Sequence, residues 1–180
     1  MKLYLVRHGE SEANVAGVIN DDPARPVNLT ERGRQQAREA VAGLRGIPFT
    51  RAYASRFPRA RQSAEILLAG LRLDLPLIQD ARLDERHSGL DGQPVEVFNG
   101  LVRPDPVHIK PEEGESFLEQ MQRVRAFLDE LAAACPDAVV LAVSHENPIQ
   151  AATAVAGREP EAAVLDGIEN GEWRCLEWEC

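Results

Sequence analysis

Lys2-Leu3-Tyr4-Leu5-Val6-Arg7-His8-Gly9-Glu10 is the stretch of sequence that decides the fold. Its apolar residues form a short, nearly continuous run that ends at Val6, and this pattern predicts a strand covered on both faces in an α/β sheet. Ligands of open α/β sheets bind beyond the carboxyl ends of the strands, which is where Arg7 and His8 lie. Gly9 then allows the backbone to approach a ligand closely. We therefore predict that this strand carries functional residues to a site.

A second apolar run repeats this arrangement towards the other end of the chain. Residues 138–143 are apolar and rich in β-branched side chains, which predicts a central strand. The run is followed by Ser144-His145-Glu146-Asn147-Pro148, and a helical pattern continues to about residue 156. If the two strands are parallel neighbours, His8 and His145 lie at the same edge of the sheet.

The remaining segments show both strand and helix patterns. Further strands are predicted at residues 51–54, 76–78 and 173–178, and helices at residues 31–44, from residue 58 onward and from residue 117 to about 134. Thr30 is a candidate N-cap, and Ser116 forms a capping box with Glu119. Residues 93–114 contain four prolines, which predicts a loop-rich cap. The chain is therefore predicted to adopt an α/β fold.

Three arginines lie at or just before the start of the helix that begins near Pro58. Arg56, Arg59 and Arg61 place positive charge at a helix N-terminus, where a cation opposes the macrodipole unless an anion is close. Broken local rules of this kind tend to mark functional sites. The alternative is that the three side chains are solvated on an exposed turn, and the spacing alone leaves both interpretations open.

The length and the net charge of the chain limit the classes of protein to which it can belong. With 180 residues, the chain is long enough for one well-buried α/β domain and short for two. A net charge of −9 and an isoelectric point near 5.0 argue against a general nucleic-acid or anionic-membrane surface, because both require basic patches. We expect no nucleic acid and no membrane among the partners of this protein.

The cysteines and the N-terminal segment bear on the compartment. Cys135, Cys175 and Cys180 are odd in number and lack metal-ligand spacing, so neither a disulfide framework nor a zinc site is predicted. Arg7 and His8 interrupt the first apolar run before it resembles a signal peptide, and no stretch approaches the roughly 20 apolar residues of a membrane span. The expected location is the cytoplasm.

Six blocks of sequence occur in an order that is typical of one enzyme family. They are Arg7-His8-Gly9-Glu10-Ser11 with Asn14, Leu29-Thr30-Glu31-Arg32-Gly33 with Gln36-Ala37, Arg59-Ala60 with Gln62-Ser63-Ala64-Glu65, Leu83-Asp84-Glu85-Arg86 with residues 89–92, Gly114-Glu115-Ser116, and Val143-Ser144-His145. In this order they resemble the histidine phosphatase superfamily, also called the phosphoglycerate mutase-like family, from residue 1 to about residue 178. The resemblance implies a three-layer α/β/α sandwich with a mostly parallel central sheet. It implies a single domain over residues 1–180, with a small loop-rich cap inserted at about residues 85–115.

The resemblance also implies phosphoryl transfer through His8. Carried over position by position, His8 is the nucleophile and Glu85 is the proton donor. The phosphate-binding positions of the family fall on Arg7, Arg59, His145 and Asn14. Neither a metal nor another cofactor is implied.

These residue types suit the chemistry. A neutral imidazole avoids the repulsion that an anionic nucleophile meets at a phosphate dianion, and arginine forks match phosphate oxygens bidentately. His145, if protonated, would add a third cationic donor. Glu85 can protonate the departing alkoxide if its surroundings keep the carboxyl protonated.

The sequence departs from the family after His145, where glycines are frequent and this chain has Glu146 and Asn147. A carboxylate beside bound phosphate is unfavourable. Glu146 is therefore expected to point outward at the start of its helix, with contact to a cation on the substrate as the alternative. Arg86 and His87, next to the predicted proton donor, are either groups that support or bind the substrate or solvated loop residues.

Three functions remain open at this point. The small cap and the short segment after residue 178 favour a phosphomonoester hydrolase, which lets water reach phosphorylated His8. A phosphoglycerate mutase-type isomerase is the alternative, because Glu85-Arg86-His87 resembles that branch of the family. A non-catalytic phosphate-binding module would not need Glu85 together with His8. The expected partner is a small-molecule phosphomonoester; a homodimer is compatible with the sequence, which does not fix the oligomeric state.

Overall fold

The computed structural model describes residues 1–179 and is built on a five-stranded sheet. The strands are β1 (Lys2–Arg7), β2 (Arg51–Ala54), β3 (Leu77–Gln79), β4 (Val139–Ser144) and β5 (Trp173–Glu177). The helices are α1 (Glu12–Ala16), α2 (Glu31–Leu44), α3 (Pro58–Leu71), α4 (Val95–Val102), α5 (Phe117–Ala134), α6 (Glu146–Val155) and α7 (Pro160–Ala163), with a 3₁₀ turn at Ala81–Leu83. In this part of the chain, no helix is both long enough and apolar enough to span a membrane.

The order of the strands puts the two predicted histidine strands side by side. The sheet runs β3-β2-β4-β1-β5, with β1, β2, β3 and β4 parallel and β5 antiparallel at the edge. In the β1–β4 pair, Arg7 lies opposite Ser144. His8 and His145 each follow directly after these residues, so the expectation that both lie at one edge of the sheet is confirmed.

Helices cover both faces of the sheet, because successive residues of its strands point to opposite sides. On one face, Leu3 and Leu5 pack with Phe117 and Phe127 of α5 in a buried cluster that also includes α6. On the other face, Val6 packs in a second cluster with residues of α2 and α3. The predicted α/β class and its three-layer arrangement are therefore confirmed.

The helix caps follow the sequence signals. Thr30 accepts a hydrogen bond from the backbone N–H of Gly33 at the start of α2. Ser116 and Glu119 form the predicted capping box at the start of α5. These caps fix where each helix begins, because they satisfy backbone N–H groups that have no partner within the helix.

The prediction of a loop-rich segment at residues 93–114 is wrong in one respect, because residues 95–102 form α4. Pro94 is the N-cap residue of this helix, and Pro104 follows its end by two residues. Prolines at such flanking positions do not interrupt a helix. The number of prolines therefore predicted a loop where an apolar helix lies between two of them.

Candidate active site

Two buried imidazoles form the centre of the candidate site at the carboxyl edge of β1 and β4. The rings of His8 and His145 are 4.9 Å apart between centroids, in an edge-to-face arrangement. His8 keeps 3% of its surface exposed and His145 none. Each histidine follows a strand, so its position is fixed by the pairing of the strands rather than by a mobile loop.

The hydrogen bonds of His8 select one tautomer. Nδ1 lies 2.6 Å from the carbonyl oxygen of Gly9, and since a carbonyl only accepts, Nδ1 carries the proton and donates it. The lone pair is therefore on Nε2, which accepts a hydrogen bond of 3.2 Å from Nε of Arg59. Burial lowers the pKa of His8 well below its usual 6.5, and the nearby positive charges of Arg59 and Arg7 act in the same direction. His8 is thus a neutral imidazole with its reactive nitrogen facing a guanidinium group.

The loop that carries His8 is held by residues to which sequence analysis gave no role. The backbone N–H of Gly9 donates to Ser63 Oγ at 3.0 Å, and Ser63 in turn donates to the carbonyl of Arg59 at 2.9 Å. Asn170 donates from Nδ2 to the carbonyl oxygen of His8 at 2.9 Å. The spacing of Ser63 one helical turn after Arg59 is a signal that could have indicated its position. The sequence around Asn170 offers no comparable signal.

The three arginines near the start of α3 have different environments. Arg59 is 5% exposed, lies against the ring of Phe57 and donates from Nη1 to Asn20 Oδ1 at 2.5 Å. Burial lowers the pKa of Arg59 to about 10, so it stays cationic at neutral pH. The other two arginines form ion pairs outside the site, Arg56 with Asp84 and Arg61 with Glu65. Only one of the three therefore fits the functional interpretation.

Arg7 provides a second cation at the site. Its Nη1 atom donates to the carbonyl oxygen of Ile168 and lies 3.1 Å from Oε2 of Glu146. Its buried Nε atom has no hydrogen-bond partner within residues 1–179. A buried guanidinium N–H without a protein acceptor is a donor that an anion can use.

Glu85 is surrounded so that its protonated form is favoured. Its side chain lines the cavity, but the surrounding protein removes most of its hydration, and this burial raises the pKa of Glu85 above its usual 4.5. The backbone N–H of Arg86, which donates to Oε1 at 2.8 Å, and the charges of Arg59 and Arg7 oppose the rise, whereas Glu146 adds to it. A carboxyl group in such a position can donate a proton at a pH where an exposed one cannot.

His145 is neutral. It therefore does not provide the third cationic donor that a protonated His145 would have added. Burial, followed by the charges of Arg59 and His8, lowers its pKa well below 6.5. Its Nε2 atom is 2.7 Å from Ser55 Oγ, which also accepts from the backbone N–H of Phe57. When the hydroxyl of Ser55 donates to Nε2, the proton of the imidazole is on Nδ1. The Nδ1 atom is buried and has no partner in the described residues.

The remaining predicted residues differ in where they lie and in which groups they bind. Asn14 lines the cavity, while its Oδ1 atom accepts the backbone N–H of Ser11 in the capping box of α1. Arg86, for which a supporting role, substrate contact and a solvated position were all left open, is buried, lines the cavity and donates to the carbonyls of Glu115, Pro106 and Ile109. Three of its five N–H donors are used in this way, so Arg86 holds the cap segment together. The exposed His87 ring lies 3.0 Å from a carboxylate oxygen of Asp21.

Glu146 contradicts the expectation that it points outward. Its carboxylate turns back toward β1 and pairs with Arg7, and its other oxygen accepts the backbone N–H of Ile168 at 3.4 Å. The cation it meets is therefore one of the protein's own. The attraction of the neighbouring arginine outweighs the preference of a helix-start carboxylate for solvent.

These side chains surround a cavity of about 240 Å³. Its walls are formed by Arg7, His8, Ser11, Ala13, Asn14, Val18, Ile19, Asn20, Asp21, Arg59, Glu85, Arg86, Ser88, Val95, Phe98, Asn99, Glu146 and Asn147. Within residues 1–179, no group of three or more His, Cys, Asp or Glu side chains is placed to hold a metal ion. The wall of the cavity therefore combines a neutral imidazole, two guanidinium groups and a carboxyl group whose pKa is raised, a combination suited to a phosphate ester.

Comparison with known proteins agrees with this class of site. The family model of the histidine phosphatase superfamily (branch 1) matches residues 3–180. The chain belongs to the histidine phosphatase superfamily and is an enzyme of that family.

Two sequence relatives and one solved structure show how similar the chain is to individual members of known families. The chain is 31% identical to the adenosylcobalamin/α-ribazole phosphatase of Salmonella typhimurium over 98% of this chain and 90% of the relative. It is 34% identical to a 2,3-bisphosphoglycerate-dependent phosphoglycerate mutase of Thermoplasma acidophilum, over 82% of this chain and 72% of the relative. A mycobacterial glucosyl-3-phosphoglycerate phosphatase, solved in complex with VO₃, superposes with a TM-score of 0.84 at 26% identity, covering 97% and 90% of the two chains.

Proposed function

We propose that this protein hydrolyses small phosphomonoesters through a phosphohistidine intermediate formed on Nε2 of His8. The observation that carries the proposal is the geometry of the site: His8 has its lone pair on Nε2 beside Arg59, and it shares one cavity with Arg7 and with Glu85, whose pKa is raised. A neutral nucleophile and a carboxyl group that holds its proton more strongly than an exposed one thus share this cavity.

The phosphate would be held by donors around His8. Arg7 and Arg59, which line the cavity, would offset its two negative charges. His145 is fully buried and does not line the cavity, and its proposed hydrogen bond to phosphate rests on the Nδ1 atom, which has no partner in the described residues. Asn14 lines the same wall and is the additional ligand that we propose. Removing one such preorganised donor typically slows catalysis by about a hundred- to a thousandfold.

The proposed reaction has two steps. In the first, Nε2 of His8 attacks phosphorus, the bond to the ester oxygen breaks, and Glu85 gives its proton to the departing alkoxide. In the second, Glu85 removes a proton from a water molecule that attacks phosphorus, the P–N bond breaks, and phosphate leaves with His8 neutral again. Positioned acid–base groups of this kind contribute about 10²- to 10⁴-fold to the rate.

The relatives suggest where the search for the substrate begins. The Salmonella relative, which spans nearly the whole chain, is named for α-ribazole phosphate. We propose a small phosphorylated metabolite as the substrate class and α-ribazole phosphate as the first compound to test. Sugar phosphates and other nucleotide monophosphates complete the panel.

An isomerase is the second candidate, and the Thermoplasma mutase relative supports it. Both reactions would share phosphorylated His8. They differ in its fate, because a mutase returns the phosphoryl group to bound product whereas a hydrolase passes it to water.

The test measures both fates on the same purified protein. Phosphate release is followed on the panel of phosphomonoesters, and interconversion of 3- and 2-phosphoglycerate is followed with the bisphosphate primer present. We expect phosphate release that disappears in His8→Ala, with negligible interconversion. Substantial turnover in His8→Ala would contradict covalent catalysis, and interconversion far faster than phosphate release would replace the hydrolase by the isomerase.

A further inference from the structure

Glu146 is a cavity residue that the proposed mechanism does not use. It is the first residue of α6, and its carboxylate is held by Arg7 on one side and by the backbone N–H of Ile168 on the other. The side chain nevertheless keeps 30% of its surface exposed. A fixed negative charge therefore lies beside the groups that would bind phosphate.

The carboxylate of Glu146 lies where two cavities meet. A second cavity adjoins the first and shares Arg86, Phe98, Asn99, Glu146 and Asn147 with it. His8 and Arg7 line only the first cavity. A phosphomonoester whose phosphate contacts His8 can therefore extend its leaving group past Glu146 into the second cavity.

Two of the other charged side chains in this region already form hydrogen bonds with the protein backbone, and a third is exposed. The guanidinium of Arg86 is bound by carbonyls of the cap segment. Asp21 accepts the backbone N–H groups of Ser88 and Gly89. Arg103 is exposed and lines only the second cavity, where it could attract an anion. Glu146 and Arg103 thus act in opposite directions on a negatively charged leaving group, with Glu146 closer to the bound phosphate.

Building on the proposed phosphatase activity, we propose that Glu146 selects phosphomonoesters with an uncharged, hydroxyl-bearing leaving group and rejects those that carry a carboxylate. Carboxylate oxygens accept strong hydrogen bonds from hydroxyl groups, whereas a second carboxylate at the same place is repelled. The partly exposed ring of Phe98 offers an apolar surface for a flat part of the same leaving group. A nucleoside-like alcohol meets both requirements.

The same charge bears on the choice between hydrolase and isomerase. Phosphoglycerates carry a carboxylate close to their phosphate, so Glu146 disfavours them as substrates. Glu146 also binds Arg7, and an incoming phosphate must share or displace that contact.

The test uses two substrates that differ in this one group. Glycerol 3-phosphate has a hydroxymethyl group where 3-phosphoglycerate has a carboxylate. For the wild-type protein, we expect kcat/KM for glycerol 3-phosphate to exceed that for 3-phosphoglycerate by about tenfold or more. In Glu146→Gln the ratio should fall by about tenfold, mainly through a lower KM for 3-phosphoglycerate. Glu161→Gln removes an exposed carboxylate of α7 that lines neither cavity, and it should leave the ratio unchanged.

Either of two results would overturn the inference: a wild-type preference for 3-phosphoglycerate, or the same ratio in wild type and Glu146→Gln. If that variant does not fold, the wild-type ratio measured at rising salt decides, because screening should narrow a ratio set by charge. Turnover of p-nitrophenyl phosphate that depends on His8 tests the phosphatase separately. Its absence would defeat the proposed function, whereas its presence with an unchanged ratio would defeat only the role of Glu146.

Discussion

At the scale of single residues, burial is the largest influence on the two reactive groups of the site. Loss of hydration disfavours charge on any group, so it lowers the pKa of His8 and raises that of Glu85. The imidazole keeps a lone pair, and the carboxyl holds its proton to a higher pH than an exposed glutamate does. Both shifts suit phosphoryl transfer to nitrogen, and both follow mainly from the removal of hydration around one cavity.

Glu85→Gln tests the acid role. The variant keeps the shape of the side chain but has no proton to give, so turnover of glycerol 3-phosphate should fall about 10²- to 10⁴-fold. Turnover of p-nitrophenyl phosphate should fall far less, because nitrophenolate leaves without protonation. Steady-state kcat on both substrates provides the comparison. Equal losses would remove Glu85 from the acid role and leave it as a structural residue.

Sequence reasoning located the residues of the site better than it located their partners. Strand ends predicted the positions of His8 and His145, because backbone pairing fixes them. The spacing of Arg56, Arg59 and Arg61 did not reveal which one enters the cavity, since that depends on the buried ring of Phe57. The direction of a side chain such as Glu146 depends equally on long-range neighbours that no local pattern records.

At the scale of elements, the loop after β1 is set against α2 by two glycines that touch. A Cβ atom on Gly33 would overlap the carbonyl oxygen of Glu10, and one on Gly9 would overlap the carbonyl oxygen of Gly33. The close approach allows α2 to fix the backbone that carries His8. The sequence predicted that Gly9 permits a close approach, but to a ligand rather than to a helix.

Gly33→Ala should therefore destabilise the protein and disturb the site. Backbone atoms have to move to admit the methyl group, at a cost of about 1–3 kcal/mol, and kcat should fall because His8 shifts with them. Gly100→Ala is the matched control, because Gly100 lies within α4 with no atom near its Cβ position. That substitution should raise the free energy of unfolding by about 0.5–1 kcal/mol. Urea midpoints report both changes, and equal midpoints for the two variants would refute the contact argument.

The cap segment depends on one buried side chain. Arg86 is 4% exposed and bonds three carbonyls contributed by residues 106, 109 and 115. Arg86→Lys keeps the charge but cannot reach three acceptors in this geometry, so we expect a loss of about 2–4 kcal/mol from unsatisfied carbonyls. Arg103→Lys, at an exposed position of the same segment, should change stability by less than about 0.5 kcal/mol. Chemical denaturation of both variants measures this difference, and similar small losses would show that the three hydrogen bonds contribute little.

At the scale of the whole molecule, the parallel sheet and its two helical layers bring distant parts of the chain to one edge. The site collects residues from the ends of β1 and β4, the start of α3, the segment after the 3₁₀ turn and the loop before β5. Alternation of strand and helix patterns was enough to predict this class of fold. The path of the cap could not be predicted in the same way, because it follows from Arg86 and its carbonyl partners rather than from a periodic pattern.

The burial of two imidazoles also predicts how stability depends on pH. The pKa values of His8 and His145 are lowered on folding, so below pH 6.5 the unfolded chain binds protons that the folded protein does not. Stability contributed by these groups is present above pH 6.5 and is lost as pH falls toward their folded pKa values, by up to about 1.4 kcal/mol per pH unit for each histidine.

Glu85 acts in the opposite direction, because its raised pKa makes stability fall as pH rises from 4.5 through the folded value. A comparison of the wild type with His8→Asn/His145→Asn isolates the histidines, since Glu85 is common to both. Urea unfolding between pH 5 and 7 should show a wild-type free energy that rises more steeply with pH than that of the double variant. Parallel curves would contradict the prediction, because the two imidazoles would then bind protons as readily in the folded protein as in the unfolded chain.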